Sequence, residues 1–344
     1  MIRLGVFFGG KSGEHEVSLL SAASVLRAIN REKYMPVMIG ISKDGRFFRY
    51  DGEVENIENG QWQKDAQPIK VDDLPEIIDF ALPILHGTFG EDGTIQGLFE
   101  MLNLPYAGCG VLGSAAAMDK LVAKELFVSA GIPSCRYTGV ISSLFEDKDA
   151  AAIAEKVGGY PCFVKPANLG SSVGISKATN EIELIEAVKL AARYDRRIIV
   201  EEGMNIREIE AAVIGNDVPF VGAVGEIVPS ADYYDYKAKY LDGQSVMVIP
   251  AQIPQEKIDQ VKEYAVRAYK ALDLAGLSRI DFFMDKETGE IYINEVNTLP
   301  GFTKFSMFPG LMAEAGIPYP ELIERIVDYG YERYNAKNSR ETSI

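Results

Sequence analysis

Cysteine, histidine and tryptophan are scarce in this sequence of 344 residues, which contains three, two and one of them, respectively. The three cysteines, Cys109, Cys135 and Cys162, are odd in number and show no C-x-x-C spacing. Neither a disulfide framework nor a cysteine-ligated zinc site is therefore expected, and each cysteine is predicted to be a small buried apolar residue. This cysteine usage is typical of a cytoplasmic protein.

Basic residues are also in deficit, because 35 Lys and Arg stand against 50 Asp and Glu and the formal net charge is −15. Nucleic acids and anionic membranes favour basic surfaces, so neither is expected as a partner, although a local Lys/Arg cluster can still hold a small anion. No apolar run approaches the ~18–20 residues of a membrane span. The start MIRLGVFFGG predicts a first strand and not a signal peptide.

Two common phosphate-binding glycine motifs are missing as well. The stretch KPANLGSSVG, residues 165–174, matches neither the P-loop pattern G-x-x-x-x-G-K-[ST] nor the dinucleotide pattern G-x-G-x-x-G. The turn FFGGKSGEHE after the first predicted strand also lacks the dinucleotide pattern, which argues against an oxidoreductase on that fold. A lysine followed by two glycines and two serines can nevertheless present N–H groups and hydroxyls to a phosphate.

Hydrophobic patterning divides the chain into three units that mix helices and strands. We expect a parallel α/β domain over residues 1–118, a smaller α+β unit over 119–205 and a strand-rich α+β unit over 206–344. The last unit contains a polar, aromatic and irregular loop, 229–250, of the long kind that is more often functional than accidental. Residues 114–131 predict one helix, capped near Ser114 and ended by Gly131.

The stretch SRIDFFMDKETGEIYINEVNTLPG, residues 278–301, predicts a β-hairpin around Gly289. Side chains alternate faces along a strand, so pairing Asp281 opposite Glu295 also sets Arg279 opposite Asn297. Two carboxylates and an amide offer hard oxygen ligands, which suit Mg²⁺ bridging nucleotide phosphates. The alternative is a surface hairpin in which Asp281 merely pairs with Arg279.

Two glycine-rich stretches are less decisive on their own. In HGTFGEDGTIQG, residues 86–97, three glycines let the backbone approach a ligand, but Asp92 can equally cap the helix that follows. In GGKSGEHEVSLLSAAS, Glu14 and Glu16 suit the first turn of a helix, where the dipole favours acids, and His15 is expected at the surface.

Taken together, HGTFGEDGTIQG, LAGLSRIDFFMDKETGEIYINEVNTLPG, EHEVSLLS and KPANLGSSVG closely resemble the D-alanine–D-alanine ligases of the ATP-grasp superfamily. The resemblance runs in order through essentially the whole chain. It implies an α/β protein with the ATP-grasp fold, comprising an N-terminal parallel α/β domain, a central α+β lid domain and a C-terminal α+β domain. ATP would be clamped between the central and C-terminal units, with the loop 168–174 closing over its phosphates.

The resemblance also implies a role for individual residues. ATP binding is assigned to Lys120, Lys165, Ser172, Glu201, Glu202, Met204, Glu208 and Lys239. Glu201 would accept from the adenine amino group, Glu208 would bind ribose hydroxyls and Lys239 would reach the γ-phosphate. Magnesium, as two ions that manganese can replace, is assigned to Asp281, Glu295 and Asn297.

The implied reaction joins two D-alanines through a D-alanyl phosphate, for peptidoglycan precursor synthesis. The resemblance assigns catalysis to Glu16, Ser171, Tyr240, Arg279 and Gly301, and substrate binding to Glu16, His86, Arg279, Gly301, Ser306 and Met307. Arg279 and the Gly301 N–H would stabilise the oxyanion, while Glu16, Ser171 and Tyr240 would form a hydrogen-bonded trio that shuts out water.

The identity of the second substrate rests on few residues. Tyr240 and the apolar Met307 favour D-alanine, whereas relatives that use D-serine or D-lactate differ in this region. A homodimer is the assembly implied, with no nucleic-acid or membrane partner. The rival hypotheses are a catalytically dead nucleotide-binding module, which should have lost a metal ligand or Arg279, and another carboxylate–amine ligase of the same fold.

Overall fold

The structure is a computed structural model that describes residues 1–170, 173–228 and 246–340. Four of the predicted site residues lie outside these ranges, namely Ser171, Ser172, Lys239 and Tyr240. Most of the predicted irregular loop 229–250 lies outside them too.

The first sheet follows the predicted parallel α/β pattern and has the strand order β4-β3-β2-β1-β5. Strand β1 pairs in parallel with β2 and β5, as expected for short buried apolar runs, and β3 and β4 add an antiparallel edge. Its strands are β1 Ile2–Gly9, β2 Tyr34–Ile41, β3 Phe47–Tyr50, β4 Gln67–Pro68 and β5 Phe80–Pro83. The helices of this stretch are His15–Ala28, Val54–Glu58, Leu74–Ile77 and Thr94–Met101.

The second sheet is antiparallel, with the strand order β6-β9-β7-β8. Its strands are β6 Tyr137–Ile141, β7 Cys162–Pro166, β8 Ser176–Ala178 and β9 Arg197–Glu202. The helices Ala150–Lys156 and Glu181–Ala191 belong to the same stretch and share its apolar core. Lys165 on β7 pairs with Ile199, two residues before Glu201 on β9, so the Lys165 and Glu201 side chains lie on the same face of this sheet.

The third sheet is antiparallel as well and has the order β12-β11-β10-β13-β14. Its strands are β10 Ile206–Gly215, β11 Phe220–Val228, β12 Val246–Val248, β13 Gly276–Asp285 and β14 Ile291–Asn297. The predicted hairpin register is confirmed, because Asp281 faces Glu295 and Arg279 faces Asn297. A register shift after Asp281 was not predicted. The helices Gln255–Ala271, Met307–Glu314 and Tyr319–Asn338 complete this part of the chain.

The single helix predicted between Ser114 and Gly131 is wrong, since the structure has two, Val111–Met118 and Lys120–Ser129. Asp119 separates them with an extended backbone, and its side chain accepts from the N–H groups of Leu121 and Val122. Asp119 also forms an ion pair with Arg197. A tertiary partner and an N-cap therefore override the continuous helical pattern, and Lys120 becomes the first residue of the second helix.

The last helix, Tyr319–Asn338, returns to the first sheet. Leu322, Ile326 and Val327 are buried in the same apolar cluster as the strand residues Leu4 and Phe80. Gly330 lies where an added Cβ would sit 2.4 Å from a ring carbon of Phe80. The helix Tyr319–Asn338 therefore completes the apolar core of the first sheet.

Cysteine burial was predicted correctly, because Cys109, Cys135 and Cys162 are all buried and unpaired by disulfides. The expectation for His15 is wrong, since its ring is buried and Nδ1 lies 2.8 Å from the Gly10 carbonyl oxygen. Across the described ranges, no helix combines the length and the apolar character needed to cross a bilayer.

Candidate active site

Asp281, Asn297 and Arg279 form a hydrogen-bonded group on one face of the third sheet. The Arg279 guanidinium donates from Nε and Nη2 to the two carboxylate oxygens of Asp281, each over 2.7 Å, and Asn297 Nδ2 donates to Asp281 over 2.9 Å. The pairing of Asp281 with Arg279 that a plain surface hairpin would show is therefore present. Here, however, Asp281 and Arg279 are largely withdrawn from solvent, so the polar face is not surface decoration.

Glu210 is a site residue that the sequence interpretation missed. It lies opposite Asp281 on the neighbouring strand β10, is buried, and places Oε2 3.0 Å from Arg279 Nε. Arg279 is thus held by carboxylates from two strands, which fixes the direction of its guanidinium. The alternation of acids in REIEAAV was the available signal, because Glu208 and Glu210 share one face of β10.

The donor set on this face suits a magnesium ion. Asp281 and Glu295 supply carboxylate oxygens from paired strands, and Asn297 supplies an amide oxygen. Within the residues that the structure describes, no group of three His, Cys, Asp or Glu side chains forms a metal site by itself. A set of two carboxylates and one amide leaves positions around a magnesium ion for oxygens from outside the protein, such as those of a phosphate.

Three lysines converge on acidic groups beside this face. Lys120 Nζ lies 3.5 Å from Glu295 Oε2 and donates to the Leu169 carbonyl oxygen. Lys165 Nζ lies 2.5 Å from Glu201 Oε2, and Lys124 Nζ lies 2.8 Å from Glu201 Oε1. Burial alone would lower the pKa of Lys165, but the Glu201 and Glu295 carboxylates outweigh it and the pKa is raised. Lys120 therefore lies beside the proposed metal ligand Glu295, and Lys165 lies near enough to Glu295 to be influenced by its charge.

Lys124 was also missed by the sequence interpretation. Its side chain is only 1% exposed, and Nζ reaches Ser134 Oγ over 3.1 Å as well as Glu201. The sequence does contain a signal for Lys124 as a site residue. It follows Lys120 by four residues on a helix, and residues at this spacing share a face.

The other residues that are predicted to bind the nucleotide do not all point toward the lysine cluster. Glu208 lies on β10, on the same strand face as Glu210. Met204 lies two residues after the end of β9 and is partly exposed. The side chain of Glu202, in contrast, points away from the lysines. Its carboxylate accepts hydrogen bonds from Nε and Nη2 of Arg136. Glu201 and Glu202 are neighbours on a strand and so face opposite sides, which leaves only Glu201 in the lysine cluster.

The loop that begins at His86 is fastened to the segment after β14 by the backbone of Leu299. His86 Nδ1 donates to the Leu299 carbonyl oxygen over 2.8 Å, and the Leu299 N–H donates to Glu91 over 3.0 Å. Burial lowers the pKa of His86 despite the nearby charge of Glu14, so the ring is neutral, with Nε2 accepting from Ser21 over 2.9 Å. The Gly87 N–H also donates to Glu91.

Glu91 completes this attachment. Burial and then the charge of Glu14 raise its pKa to about 7, against the opposing hydrogen bonds from the Gly87 and Leu299 N–H groups. Asp92 accepts from the Thr94 N–H at the start of the helix Thr94–Met101, although Gly93 and not Asp92 occupies the N-cap position. The glycine-rich stretch is thus a helix start and a structural tie to the segment that carries Gly301.

Glu16, to which the resemblance assigns catalysis and substrate binding, does not reach this site, whereas Glu14 does. The Glu16 side chain is 62% exposed and pairs with Lys43 over 2.5 Å. Glu14 is buried, and its Oε2 would lie 2.4 Å from a Cβ at Gly87 and 3.2 Å from one at Gly170. Glu14 is the N-cap residue of the helix His15–Ala28, whereas Glu16 lies in its first turn, so the two side chains leave the backbone in different directions.

The predicted second-substrate residues lie together at the start of the helix Met307–Glu314. Ser306 Oγ accepts from the Thr303 N–H over 3.1 Å and would lie 3.3 Å from a Cβ at Gly301. Met307 is buried, with its sulfur 2.8 Å from where a Cβ of Gly225 would be. Ser306 and Gly301 are therefore neighbours, whereas the Met307 side chain packs into the core.

Comparison with known proteins agrees with the sequence motifs. The family described as "D-ala D-ala ligase N-terminus" matches residues 3–109, and "D-ala D-ala ligase C-terminus" matches residues 126–328. A D-alanine–D-alanine ligase of Ruminiclostridium cellulolyticum is 49% identical, with 96% of each chain covered. The ligase of Acetivibrio thermocellus is 48% identical, covering 97% of this chain and 96% of its own.

Solved structures give the same result. The D-alanine–D-alanine ligase of Coxiella burnetii is 30% identical, with a TM-score of 0.87 and coverage of 98% of this chain and 97% of its own. The VanG D-Ala:D-Ser ligase of Enterococcus faecalis is 38% identical, with a TM-score of 0.87 and coverage of 96% and 99%. These neighbours have the ATP-grasp fold. The chain belongs to the D-alanine–D-alanine ligase family, whose members are ATP-dependent ligases.

Proposed function

We propose that this protein joins two D-alanines to D-alanyl-D-alanine at the expense of ATP, through a D-alanyl phosphate. The observation that carries the proposal is the meeting of Lys120 with Glu295 beside the paired Asp281 and Asn297. Cations for phosphates and hard oxygens for a metal are thereby collected at one place. The products would be ADP, phosphate and a dipeptide for peptidoglycan synthesis.

We propose that Lys120 and Lys165 bind the nucleotide phosphates and that Glu201 accepts from the adenine amino group. Lys239 and the loop of Ser171 and Ser172 are included in this proposal, although they lie outside the described residues. Asp281, Glu295 and Asn297 would hold magnesium, as two ions that manganese can replace. When bound, the metal would neutralise charge on the phosphates that flank the transferred phosphoryl group.

The chemistry then consists of two displacements. An oxygen of the first D-alanine carboxylate forms a bond to the γ-phosphorus, the bond to the β-phosphate oxygen breaks, and ADP leaves. The amine nitrogen of the second D-alanine forms a bond to the acyl carbon, a proton is lost, and phosphate leaves. We propose that Arg279, aimed by Asp281 and Glu210, stabilises the oxyanion together with the Gly301 N–H.

Glu14 takes over the role that the sequence interpretation gave to Glu16. It would bind the ammonium of the first D-alanine and would act with Ser171 and Tyr240 to join the units and exclude water. Its position against Gly87 and Gly170 supports this proposal, because Gly170 directly precedes Ser171. His86 would lie near the substrate carboxylate as a neutral ring, and Ser306 would bind the carboxylate of the second substrate.

The two acids at the start of the helix His15–Ala28 offer a direct test of this assignment. We expect Glu14→Gln to raise the KM for the first D-alanine about 10- to 100-fold, because an ionic hydrogen bond to the ammonium is lost. Glu16→Gln is the matched control and should change this KM less than about twofold, because exposed ion pairs contribute little. Initial rates over a range of D-alanine concentrations decide the point. A larger increase in this KM for Glu16→Gln than for Glu14→Gln would assign the ammonium contact to Glu16 instead.

The proposal also covers the domain boundaries, the assembly, the location and the second substrate of the protein. We propose the three units 1–118, 119–205 and 206–344, a homodimeric assembly and a cytoplasmic location. A D-alanine–D-serine or D-alanine–D-lactate ligase is the alternative. The likeness to VanG favours D-serine among these, and the burial of Met307 weakens one argument for D-alanine.

Product analysis tests the proposed reaction. We expect Mg-ATP with equal D-alanine, D-serine and D-lactate to give D-alanyl-D-alanine as the dominant product by mass spectrometry. The assay should be run near neutral pH and again at higher pH, because deprotonation of the attacking amine favours dipeptide over ester. Dominant D-alanyl-D-serine or D-alanyl-D-lactate would keep the mechanism and overturn the substrate. No product with intact bound ATP would point to a dead nucleotide-binding module.

A further inference from the structure

A buried carboxylate beneath the proposed nucleotide site is shared by two lysines that differ in their access to solvent. Glu201 is 3% exposed and places one oxygen 2.5 Å from Lys165 Nζ and the other 2.8 Å from Lys124 Nζ. Lys165 is 12% exposed, whereas Lys124 is 1% exposed and anchored to Ser134 Oγ over 3.1 Å. Lys165 is therefore partly open to an incoming ligand, whereas Lys124 is enclosed by protein.

All three groups are charged in the folded protein. Burial alone would lower the pKa of Lys124, but the Glu201 carboxylate outweighs it and the pKa is raised. Burial would likewise raise the pKa of Glu201, but Lys124 and Lys165 together lower it. One carboxylate thus faces two ammonium groups, and the cluster has an excess of one positive charge for an incoming polyanion.

A nucleotide phosphate that binds Lys165 must compete with Glu201 for the same Nζ. Without Lys124, drawing Lys165 toward the phosphate would leave a buried carboxylate unpaired, which is strongly unfavourable. With Lys124 in place, Glu201 keeps a short ion pair whatever Lys165 does. The second lysine thereby uncouples phosphate binding from the position of the carboxylate.

We propose that Lys124 is a positioning residue for base recognition, which rests on the proposed contact of Glu201 with adenine. It keeps Glu201 ionised and oriented while Lys165 binds phosphate, so that Glu201 can accept from the exocyclic amino group of adenine. A guanine base presents a carbonyl oxygen at the corresponding position, which a fixed carboxylate repels. Lys124 should therefore determine the preference for ATP over GTP without touching either nucleotide.

The test compares the dissociation constants of Mg-ATP and Mg-GTP by calorimetry on the full-length protein. We expect Lys124→Met to reduce the ratio of ATP to GTP affinity about tenfold or more, which is the usual effect of losing a hydrogen bond to a charged group. Lys124→Arg should retain part of the preference because it keeps the charge. Lys33→Met, which removes an exposed lysine paired with Glu324, is the matched control and should leave the ratio unchanged.

Two further variants separate the possible failures. Glu201→Gln should lose the preference, and Lys124→Met/Glu201→Gln should match it, because Lys124 acts only through Glu201. If Lys124→Met does not fold, Lys124→Gln replaces it, since an amide still donates to Ser134. If Glu201→Gln loses the preference and the Lys124 variants keep it, the role proposed for Lys124 is wrong, and the proposed adenine contact of Glu201 stands. An unchanged preference in Glu201→Gln would overturn the proposed adenine contact, and the inference with it.

Discussion

Glu295→Gln should abolish ligation while leaving the protein folded. The substitution keeps the size of the side chain but removes a carboxylate that faces Asp281 across the hairpin and lies 3.5 Å from Lys120 Nζ. Loss of an outer-shell partner of a metal typically costs 10- to 100-fold, so loss of a proposed ligand should lower kcat by more than about 100-fold. Release of phosphate from Mg-ATP in the presence of D-alanine measures the effect.

The control for this prediction lies in the same hairpin. Glu290→Gln alters an exposed acid that accepts from the Tyr292 hydroxyl, and it should leave kcat unchanged. Chelation of divalent ions should reduce the wild type to the level of Glu295→Gln, and added magnesium should restore only the wild type. Phosphate release at the wild-type rate by folded Glu295→Gln would refute the metal role of this residue.

Arg279→Lys should lower kcat about 100- to 1000-fold, which is the usual effect of removing one donor to a developing oxyanion. Lysine keeps the positive charge but cannot reproduce the two parallel bonds to Asp281 together with the contact to Glu210. The KM for ATP should change little, because Lys120, Lys165 and Glu201 are untouched. Steady-state rates with saturating D-alanine separate the two parameters.

A second arginine of the same sheet provides the matched control. Arg207 also binds a carboxylate through Nε and Nη2, each 2.6 Å from Glu226, but it neighbours Glu208 in β10 and so lies on the other sheet face. We expect Arg207→Lys to keep wild-type kcat. Equal losses in the two variants would mean that Arg279 acts on sheet stability and not on the reaction.

The hairpin register was predictable because its determinants are local. A strand period of two and a short loop at Gly289 leave few ways to pair the two strands, and only some of them gather the polar residues on one face. The parallel first sheet was predictable for a similar reason, since its short apolar runs alternate with helical segments. The motifs built on these elements therefore carried most of the candidate site.

The residues that were missed depend on partners far away in the chain. The sequence around Asp119 predicts a continuous helix, because local periodicity carries no information about its distant partner Arg197. Lys124 pairs with Glu201, and Glu210 pairs with Arg279, in the interior of the protein. The sequence that flanks Lys124 or Glu210 does not indicate which distant residue is its partner. For Glu14 and Glu16, the helix period shows that one faces away from the other, but not which one faces inward.

The return of the helix Tyr319–Asn338 to the first sheet has a consequence for biosynthesis. As the nascent chain leaves the ribosome, the first sheet is made well before Leu322, Ile326 and Val327, which cover part of its apolar surface. That surface stays open to solvent, or to a chaperone, while the whole stretch between Pro83 at the end of β5 and Leu322 is translated. A ribosome that stalls before this helix releases a polypeptide whose earliest domain is unfinished, so premature termination leaves an aggregation-prone fragment and not a folded half.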